Sequence, residues 1–440
     1  MRAGRGVRAQ LVALARSEDP AQDYPRRAVQ FGEGGVRGEV PKRYVSLAYT
    51  HAPTDPRVRR HCETLARRGW RVYQLGLGAP EEARAGRLNG VCLIRRPRQR
   101  YRGRNLMRYL WSYIAFLVWA RRLLARLGED GGLDVVQVNN IPNFLVWAAR
   151  GARRREARVV LDIHDPEPEL FLSKFGGSGI GPWGSRLLAW TESLASRAAN
   201  QVICVNEQHR VATVGHGVDA GKVQVVPNYA DAQLFPVRAP RVAGPFVAYH
   251  GTVAARMGLD VVLRGLAAAR TEHAGLRGAI WGDGDAVASL TALRDALNLT
   301  KVVDLPGKRF RLEDLVPRLD AVGLGVVPLR RDGFTDLALP TKLLEYVRLG
   351  IPVIVTWTPT IGHYFPDDTV LFIRDFTPGG VARAIGTALA NPEAARERAR
   401  RAQGLPIAGS WQQNEQAYVD VLLGRQGEFP LSRRGEGARG

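Results

Sequence analysis

Asp336-Leu-Ala-Leu-Pro340-Thr-Lys342-Leu-Leu-Glu345-Tyr-Val-Arg-Leu-Gly350-Ile-Pro352-Val-Ile354 is the stretch that organises the chain. Pro340 suits a first helical position, Gly350 suits a left-handed helix terminus, and Pro352 stops the helix before the apolar run Val353-Ile354-Val355. The spacing predicts a helix of about two to three turns feeding a buried strand. Lys342 and Glu345 stand three apart and share one face near the helix start, where free backbone N–H groups and the dipole favour an anion. Such a place suits a nucleotide diphosphate with its ribose. The plainer alternative is a surface Lys–Glu pair worth about 0.2–0.5 kcal/mol.

Working outward, the same alternation of strand and helix recurs on both sides. In the first half, strands are predicted at residues 44–49, 71–77, 133–138, 158–163, 201–205 and 222–226. Helices are predicted between them at 57–68, 142–155 and 186–199. Pro236, Pro240 and Pro245 interrupt the rhythm over 231–244, which reads as a linker. A second series follows, with strands at 246–250, 278–282, 301–305 and 321–328 and helices at 258–271 and 286–297. The fold class is α/β, with two Rossmann-like domains, each an open parallel sheet.

The expected organisation is an N-terminal extension over 1–41, read as mostly disordered, then a first domain over 42–235 and a second over 241–400. A C-terminal helix within 405–424, with Trp411, Tyr418, Val419 and Leu422 at helical spacing, is expected to pack back on the first domain. A loose Gly/Arg-rich tail over 425–440 completes the chain.

A hydrophobic fraction of 45% over 440 residues is that of an ordinary globular protein and excludes general disorder. The net charge of +21, almost all of its cations Arg, suits a polyanionic partner, an anionic membrane surface or a phosphate-bearing substrate. Cys62, Cys92 and Cys204 are too few and too scattered for a disulfide framework or a metal cluster, and fit a reducing cytoplasm. Leu11–Ala15 is too short for the apolar core of a signal peptide.

In open parallel sheets ligands sit beyond the carboxyl ends of the strands, so residues there carry most weight. His250-Gly251-Thr252 follows the first strand of the second half, and Gly251 would let a diphosphate approach the backbone. Gly282-Asp283-Gly284 follows the next strand and reads either as a ligand turn or as a tight turn alone. No complete G-x-G-x-x-G fingerprint occurs, which argues against a nicotinamide or flavin enzyme. In the first half, His164 and Asp165 follow a strand and can hold a phosphate or position an acceptor hydroxyl, or simply cap a loop. Asp55 and Arg57 follow the first strand, and Arg57 is expected to reach a ligand cleft or to be a solvated loop charge.

These segments together resemble the family 4 glycosyltransferases, retaining enzymes of the two-domain GT-B fold that move a sugar from a nucleotide diphosphate. The likeness runs over roughly residues 43–424. It is carried by Asp55-Pro-Arg57-Val-Arg-Arg-His61, Asp134-Val-Val-Gln-Val-Asn139-Asn-Ile-Pro-Asn-Phe144, Leu161-Asp-Ile-His164-Asp165 with Pro168-Glu169, Val226-Pro-Asn228, Tyr249-His-Gly251-Thr252 and Leu339-Pro340-Thr341-Lys342-Leu-Leu-Glu345-Tyr346. The resemblance implies two domains facing across a cleft. It also implies a donor site of Gly251, Thr252, Gly282, Gly284, Pro340, Thr341 and Glu345, with Glu345 on the ribose hydroxyls. His164 matches the histidine that faces the donor, and Asp55, Arg57, Asn139 and Asp165 fall on the acceptor side.

The sequence departs from the family pattern in three places. The first acid of the paired-glutamate motif is replaced by Leu337, beside Asp336. The Arg and Lys that usually open the second domain are Thr252 and Met257, with Arg256 one residue away. The Val-His-Val-His pattern becomes Gln137-Val-Asn139. Arg256 and Lys342 are therefore the expected partners of the leaving diphosphate, by charge-assisted hydrogen bonds. No cofactor and no metal are expected: no Asp-x-Asp stands at a strand end and no His/Cys ligand spacing occurs.

Residues 95–108 hold seven Arg and no acid and run into the Trp-rich apolar segment 109–127, whose core is too short to span a bilayer. That combination suits peripheral contact with an anionic membrane and a glycan or lipid-linked acceptor, or a buried helix behind a solvated loop. Nucleic acid is disfavoured by the lack of a base-stacking platform. The leading expectation is a sugar transferase in surface polysaccharide assembly. A nucleotide-sugar epimerase or phosphorylase of the same architecture, or a non-catalytic homologue, are the rivals.

Overall fold

The computed structural model describes residues 41–98, 106–176, 179–425 and 429. The predicted N-terminal extension, residues 99–105 of the arginine-rich stretch and nearly all of the tail lie outside them. The chain divides into two compact units: one holds residues up to Val205, Arg210–Val226 and Gln416–Gly427, the other Asn206–His209 and Pro227–Glu415.

The first unit is built on β1 (Arg43–His51), β2 (Arg71–Gly78), β3 (Ala85–Leu88), β4 (Val91–Pro97), β5 (Val135–Asn139), β6 (Arg158–Ile163), β7 (Gln201–Cys204) and β8 (Val223–Val225). Their order is β3-β4-β2-β1-β5-β6-β7-β8. Every pairing is parallel except β3 with β4. β1 and β5 are buried along nearly their whole length because helices cover both faces, so they read as unbroken apolar runs. The order reverses at β1, between β2 and β5, which makes the carboxyl ends of β1, β5 and β6 the place for a ligand.

Its helices are α1 (Pro56–Arg67), α2 (Leu106–Glu129), α3 (Glu167–Phe175), α4 (Gly181–Ala198) and α5 (Glu207–Gly215), the last shared with the second unit. The helix predicted over 142–155 is instead a 3₁₀ segment, Asn143–Ala149, followed by one α turn, Arg150–Arg153. At its start the Asn143 side chain donates to Glu192 Oε2 at 3.0 Å and its backbone N–H to Glu167 Oε2 at 3.3 Å. These are ties that local periodicity does not reveal. Helix α3 and the start of α4 were not anticipated, since Pro166, Pro168, Gly181 and Pro182 mimic turn signals; prolines in fact sit in both first turns.

The second unit carries β9 (Phe246–His250), β10 (Arg277–Trp281), β11 (Val303–Asp304), β12 (Leu324–Val327), β13 (Val353–Thr356) and β14 (Leu371–Ile373), all parallel, in the order β11-β10-β9-β12-β13-β14. Its reversal falls at β9. The helix read from the opening stretch is α6 (Thr341–Arg348), with Pro340 as the residue preceding it rather than its first position. Gly350 takes the expected left-handed conformation at φ 66°. The core packs Val247, Tyr249, Leu263, Leu324 and Ile354 around the sheet.

The last helix, α7 (Trp411–Leu422), contributes to both units. Within the second, Trp411 N–H donates to Ala230 O at 3.3 Å. Within the first, Tyr418 is buried, stacks on His61 with centroids 4.2 Å apart and donates to Gln137 Oε1 at 2.7 Å. Cys62, Cys92 and Cys204 are free and buried.

Candidate active site

In the second unit the backbone turns sharply as β9 ends. Gly251 has φ 118°, a conformation open to glycine, and its N–H donates to Trp281 O at 2.9 Å. The Tyr249 hydroxyl donates to Thr252 O at 2.6 Å and fixes the turn from below. A Cβ on Gly251 would lie 3.1 Å from Lys342 Cε, so the first turn of α6 stands directly over this glycine. Pro340 supplies no capping side chain, which leaves the positive end of the helix without a side-chain acceptor.

Lys342, Glu345 and Gly251, singled out from the sequence, are thus brought to one place. Lys342 Nζ lies 5.0 Å from the centre of the Tyr249 ring. Burial pulls its pKa down to about 8, the neighbouring Glu345 opposing and Arg256 adding to the shift. Arg256, whose charge adds to that shift, is exposed. Glu345, 15% exposed, approaches His250 Nε2 at 3.4 Å. Burial, aided by Lys342, holds His250 near a pKa of about 3, so the imidazole is neutral. Thr252 and Thr341 are exposed at the rim.

Gly282 and Gly284 have a packing role of their own. A Cβ at Gly282 would collide with Gly251 O and one at Gly284 with Val253 O. These glycines let the two turns pack backbone to backbone, and the chain requires them whatever the ligand. Asp336 does not stand free beside Leu337: Arg331 binds it through two hydrogen bonds of 2.8 Å. Its carbonyl accepts from Thr360 Oγ1 at 2.6 Å.

In the first unit His164 follows β6 with its side chain 15% exposed and its Nδ1 4.0 Å from Asp162 Oδ1. A clip that sequence reasoning missed holds its loop. Asn140 Oδ1 accepts from the N–H groups of His164 and Asp165 at 3.1 and 3.3 Å, and Asn140 Nδ2 donates to Asp165 O at 2.6 Å. Asp165 therefore shapes the loop through its backbone.

Arg57 and Asn139, expected to face an acceptor, are interior. Arg57 is 4% exposed and donates from Nε and Nη2 to the two oxygens of Asp162 at 2.9 and 3.0 Å. Asn139 is fully buried, accepting from Gln137 Nε2 at 2.9 Å and donating to Ser46 Oγ at 2.9 Å. The reason is charge neutralisation: buried Asp162 needs a cation, and Arg57 is within bidentate reach. Asp55 caps α1, accepting from the N–H groups of Arg57 and Val58.

A second buried polar cluster went unread because its members come from four separate segments. His216 lies 3.0 Å from Glu169 and 2.9 Å from Glu192. Burial opposes its charge, but the hydrogen bonds to both carboxylates outweigh this and raise its pKa to about 10. Glu167, three residues past His164, is pushed up by burial to about 7, against the hydrogen bond from Asn143 N–H.

Comparison with known proteins bears on the family and the fold. Residues 54–229 match the glycosyl transferase 4-like domain, and residues 244–391 match glycosyl transferases group 1. Sucrose-phosphate synthase from Thermosynechococcus elongatus is similar in structure, at 18% identity over 87% of this chain and 100% of that one, with a TM-score of 0.64. Anabaena HepE, solved with UDP and glucose, is similar at 15% identity over 87% and 100% of the two chains, with a TM-score of 0.65. The N-terminal domain of Candida albicans trehalose-6-phosphate phosphatase is similar at 12% identity over 89% and 99%, with a TM-score of 0.65. No curated protein sequence matches the chain. The protein is a glycosyltransferase of the GT-B fold, its first domain glycosyl transferase 4-like and its second of group 1.

Proposed function

We propose that this glycosyltransferase moves a sugar from a nucleoside-diphosphate sugar to a glycan or lipid-linked acceptor with retention of configuration, in surface polysaccharide assembly. The observation that carries this reading is the seating of Lys342 on Gly251 at the start of α6, with Glu345 on the same helix face. Lys342 and Arg256 neutralise the departing diphosphate, and Glu345 accepts hydrogen bonds from the ribose hydroxyls. The bond from the anomeric carbon to the diphosphate oxygen breaks as the acceptor oxygen attacks the same face. The acceptor's proton passes to the departing diphosphate. His164 is assigned to positioning the acceptor hydroxyl. The fixed cations supply the charge, so the reading calls for no divalent metal, and EDTA should leave turnover unchanged.

The reading sets the enzyme in the cytoplasm, at the inner face of the membrane where a lipid-linked acceptor is presented. No described helix is long and apolar enough to cross a bilayer. The HepE neighbour holds UDP and glucose, so UDP-glucose is the first donor to try. Transfer releases free nucleoside diphosphate and lengthens the acceptor, and the anomeric configuration of the product reads retention directly. An isomerised sugar nucleotide would instead indicate an epimerase, and tight donor binding without turnover a non-catalytic homologue. Unchanged turnover in Glu345→Gln would overturn the assignment of the ribose site.

A further inference from the structure

Eleven of the fifteen exposed large apolar side chains among the described residues fall in two segments of the first unit. Met107, Leu110, Trp111, Ile114 and Val118 lie on α2, at spacings of three and four that make one stripe. Leu172, Phe175, Ile180, Trp183, Leu187 and Trp190 lie on the α3–α4 hairpin, the last four again forming one stripe. Trp183 is 73% exposed and Trp111 65%. Helix α2 also buries an opposite face, with Ser112, Phe116, Ala120, Leu123 and Leu124 inside, so its outward apolar stripe is not needed for the core. Clusters of this kind mark an interaction surface.

Both helices pack against the same segment, Asn143–Ala149, and Phe144 meets Tyr113 edge-on at 6.2 Å. The hairpin is itself close-packed: a Cβ on Gly184 would collide with the Phe171 ring. Each stripe carries arginine. On α2 it continues into exposed Arg121 and Arg122, and on α4 exposed Arg186 sits among the aromatics, its guanidinium 5.8 Å from the Trp183 ring. No acid occurs from Leu106 to Leu127 or from Phe171 to Thr191, and Glu192 is buried.

We propose that the outward stripes of α2 and the α3–α4 hairpin form one docking surface for a bilayer of anionic phospholipid. Tryptophan, leucine and methionine enter the interfacial layer, and Arg108, Arg121, Arg122 and Arg186 meet the headgroups. The charge pattern selects lipid over a second copy of the chain, because a twofold contact would set the same arginines against one another. Helix α3 begins three residues after His164, so docking would hold the His164 loop beside the bilayer. This deepens the proposed reading and rests on the lipid-linked form of its acceptor.

Flotation of the full chain with vesicles tests it, comparing phosphatidylcholine alone with an equal mixture containing phosphatidylglycerol. The wild type is expected to float with the mixed vesicles and not with the neutral ones. Trp183→Ser/Leu187→Ser/Trp190→Ser should weaken vesicle binding at least about tenfold, as should Met107→Ser/Trp111→Ser/Ile114→Ser. Arg121→Gln/Arg122→Gln/Arg186→Gln should abolish the preference for phosphatidylglycerol. Unchanged UDP affinity and melting temperature in these variants would separate docking from donor binding and from folding. Absence of wild-type flotation, equal flotation of the serine variants, or a stable dimer split by those variants would each overturn the proposal. UDP binding by the wild type judges the sugar-transfer reading independently.

Discussion

The side chain of Lys342 lies across the face of Gly251, so that a Cβ on the glycine would come within 3.1 Å of Lys342 Cε and 3.5 Å of Nζ. The contact couples a backbone turn after β9 to the first turn of α6. It makes the position of one cation depend on the absence of one methyl group.

Gly251→Ala should therefore be costly twice over. The left-handed backbone at φ 118° strains any side chain by about 1–3 kcal/mol, and the new methyl displaces Lys342. Calorimetric titration should find UDP bound about tenfold more weakly, with a lowered melting temperature. Wild-type affinity in this variant would show that the seating of Lys342 is irrelevant to the donor.

Lys342 should give the proposed donor site a pH dependence. Its pKa, lowered by burial to about 8, leaves the ammonium charged at neutral pH and discharges it as the pH rises through that value. UDP affinity should fall across this window in the wild type, whereas Lys342→Arg should stay flat. Lys342→Met should weaken binding by about 1.5–3 kcal/mol at neutral pH, the range for hydrogen bonds to charged groups.

Arg57 should matter for stability. Its guanidinium neutralises fully buried Asp162, and removing one partner of such a pair costs about 3–5 kcal/mol. Urea unfolding of Arg57→Met should show this loss. Arg57→Met/Asp162→Leu should lose less than the two single changes added together. A stable Arg57→Met variant with a reduced response to acceptor would restore the ligand-facing role read from the sequence.

His216 should make the first unit less stable in alkali. Its folded pKa, about 10, is above the ordinary histidine value, so the native state holds the proton more tightly than the unfolded chain. The resulting stabilisation is complete below about pH 6.5 and is lost as the pH rises through 10. Chemical denaturation at pH 6, 8 and 10 should reveal the slope, and His216→Gln should flatten it. Identical slopes in both proteins would assign the proton to another group.

His164 should affect turnover more than donor binding. Its loop is held by Asn140, so Asn140→Ala should lower kcat with UDP affinity preserved, by freeing the backbone that carries the imidazole. Comparing kcat with KM for both His164→Ala and Asn140→Ala checks this. A pure loss of stability would instead lower the melting temperature and leave kcat per folded molecule intact.

Much of the fold is local information and could be read from residue order. Alternating apolar runs and amphipathic stretches mark strands and helices, and Gly350 and Pro352 end α6 because of their own backbone geometry. Lys342 and Glu345 share a face because three residues make most of a helical turn, so that part of the candidate site was legible. What that face meets was not. Gly251, far away in sequence, comes under Lys342 only because β9 lies at the reversal of its sheet. Arg57 and Asn139 carry the same chemistry as ligand-facing residues, but long-range pairing with Asp162 and Ser46 took them inside. The outward aromatic stripes of α2 and α4 have the spacing of core faces. Which stripe is buried depends on what packs against it, and tertiary structure decided that by covering one face of α2 and leaving the other to water.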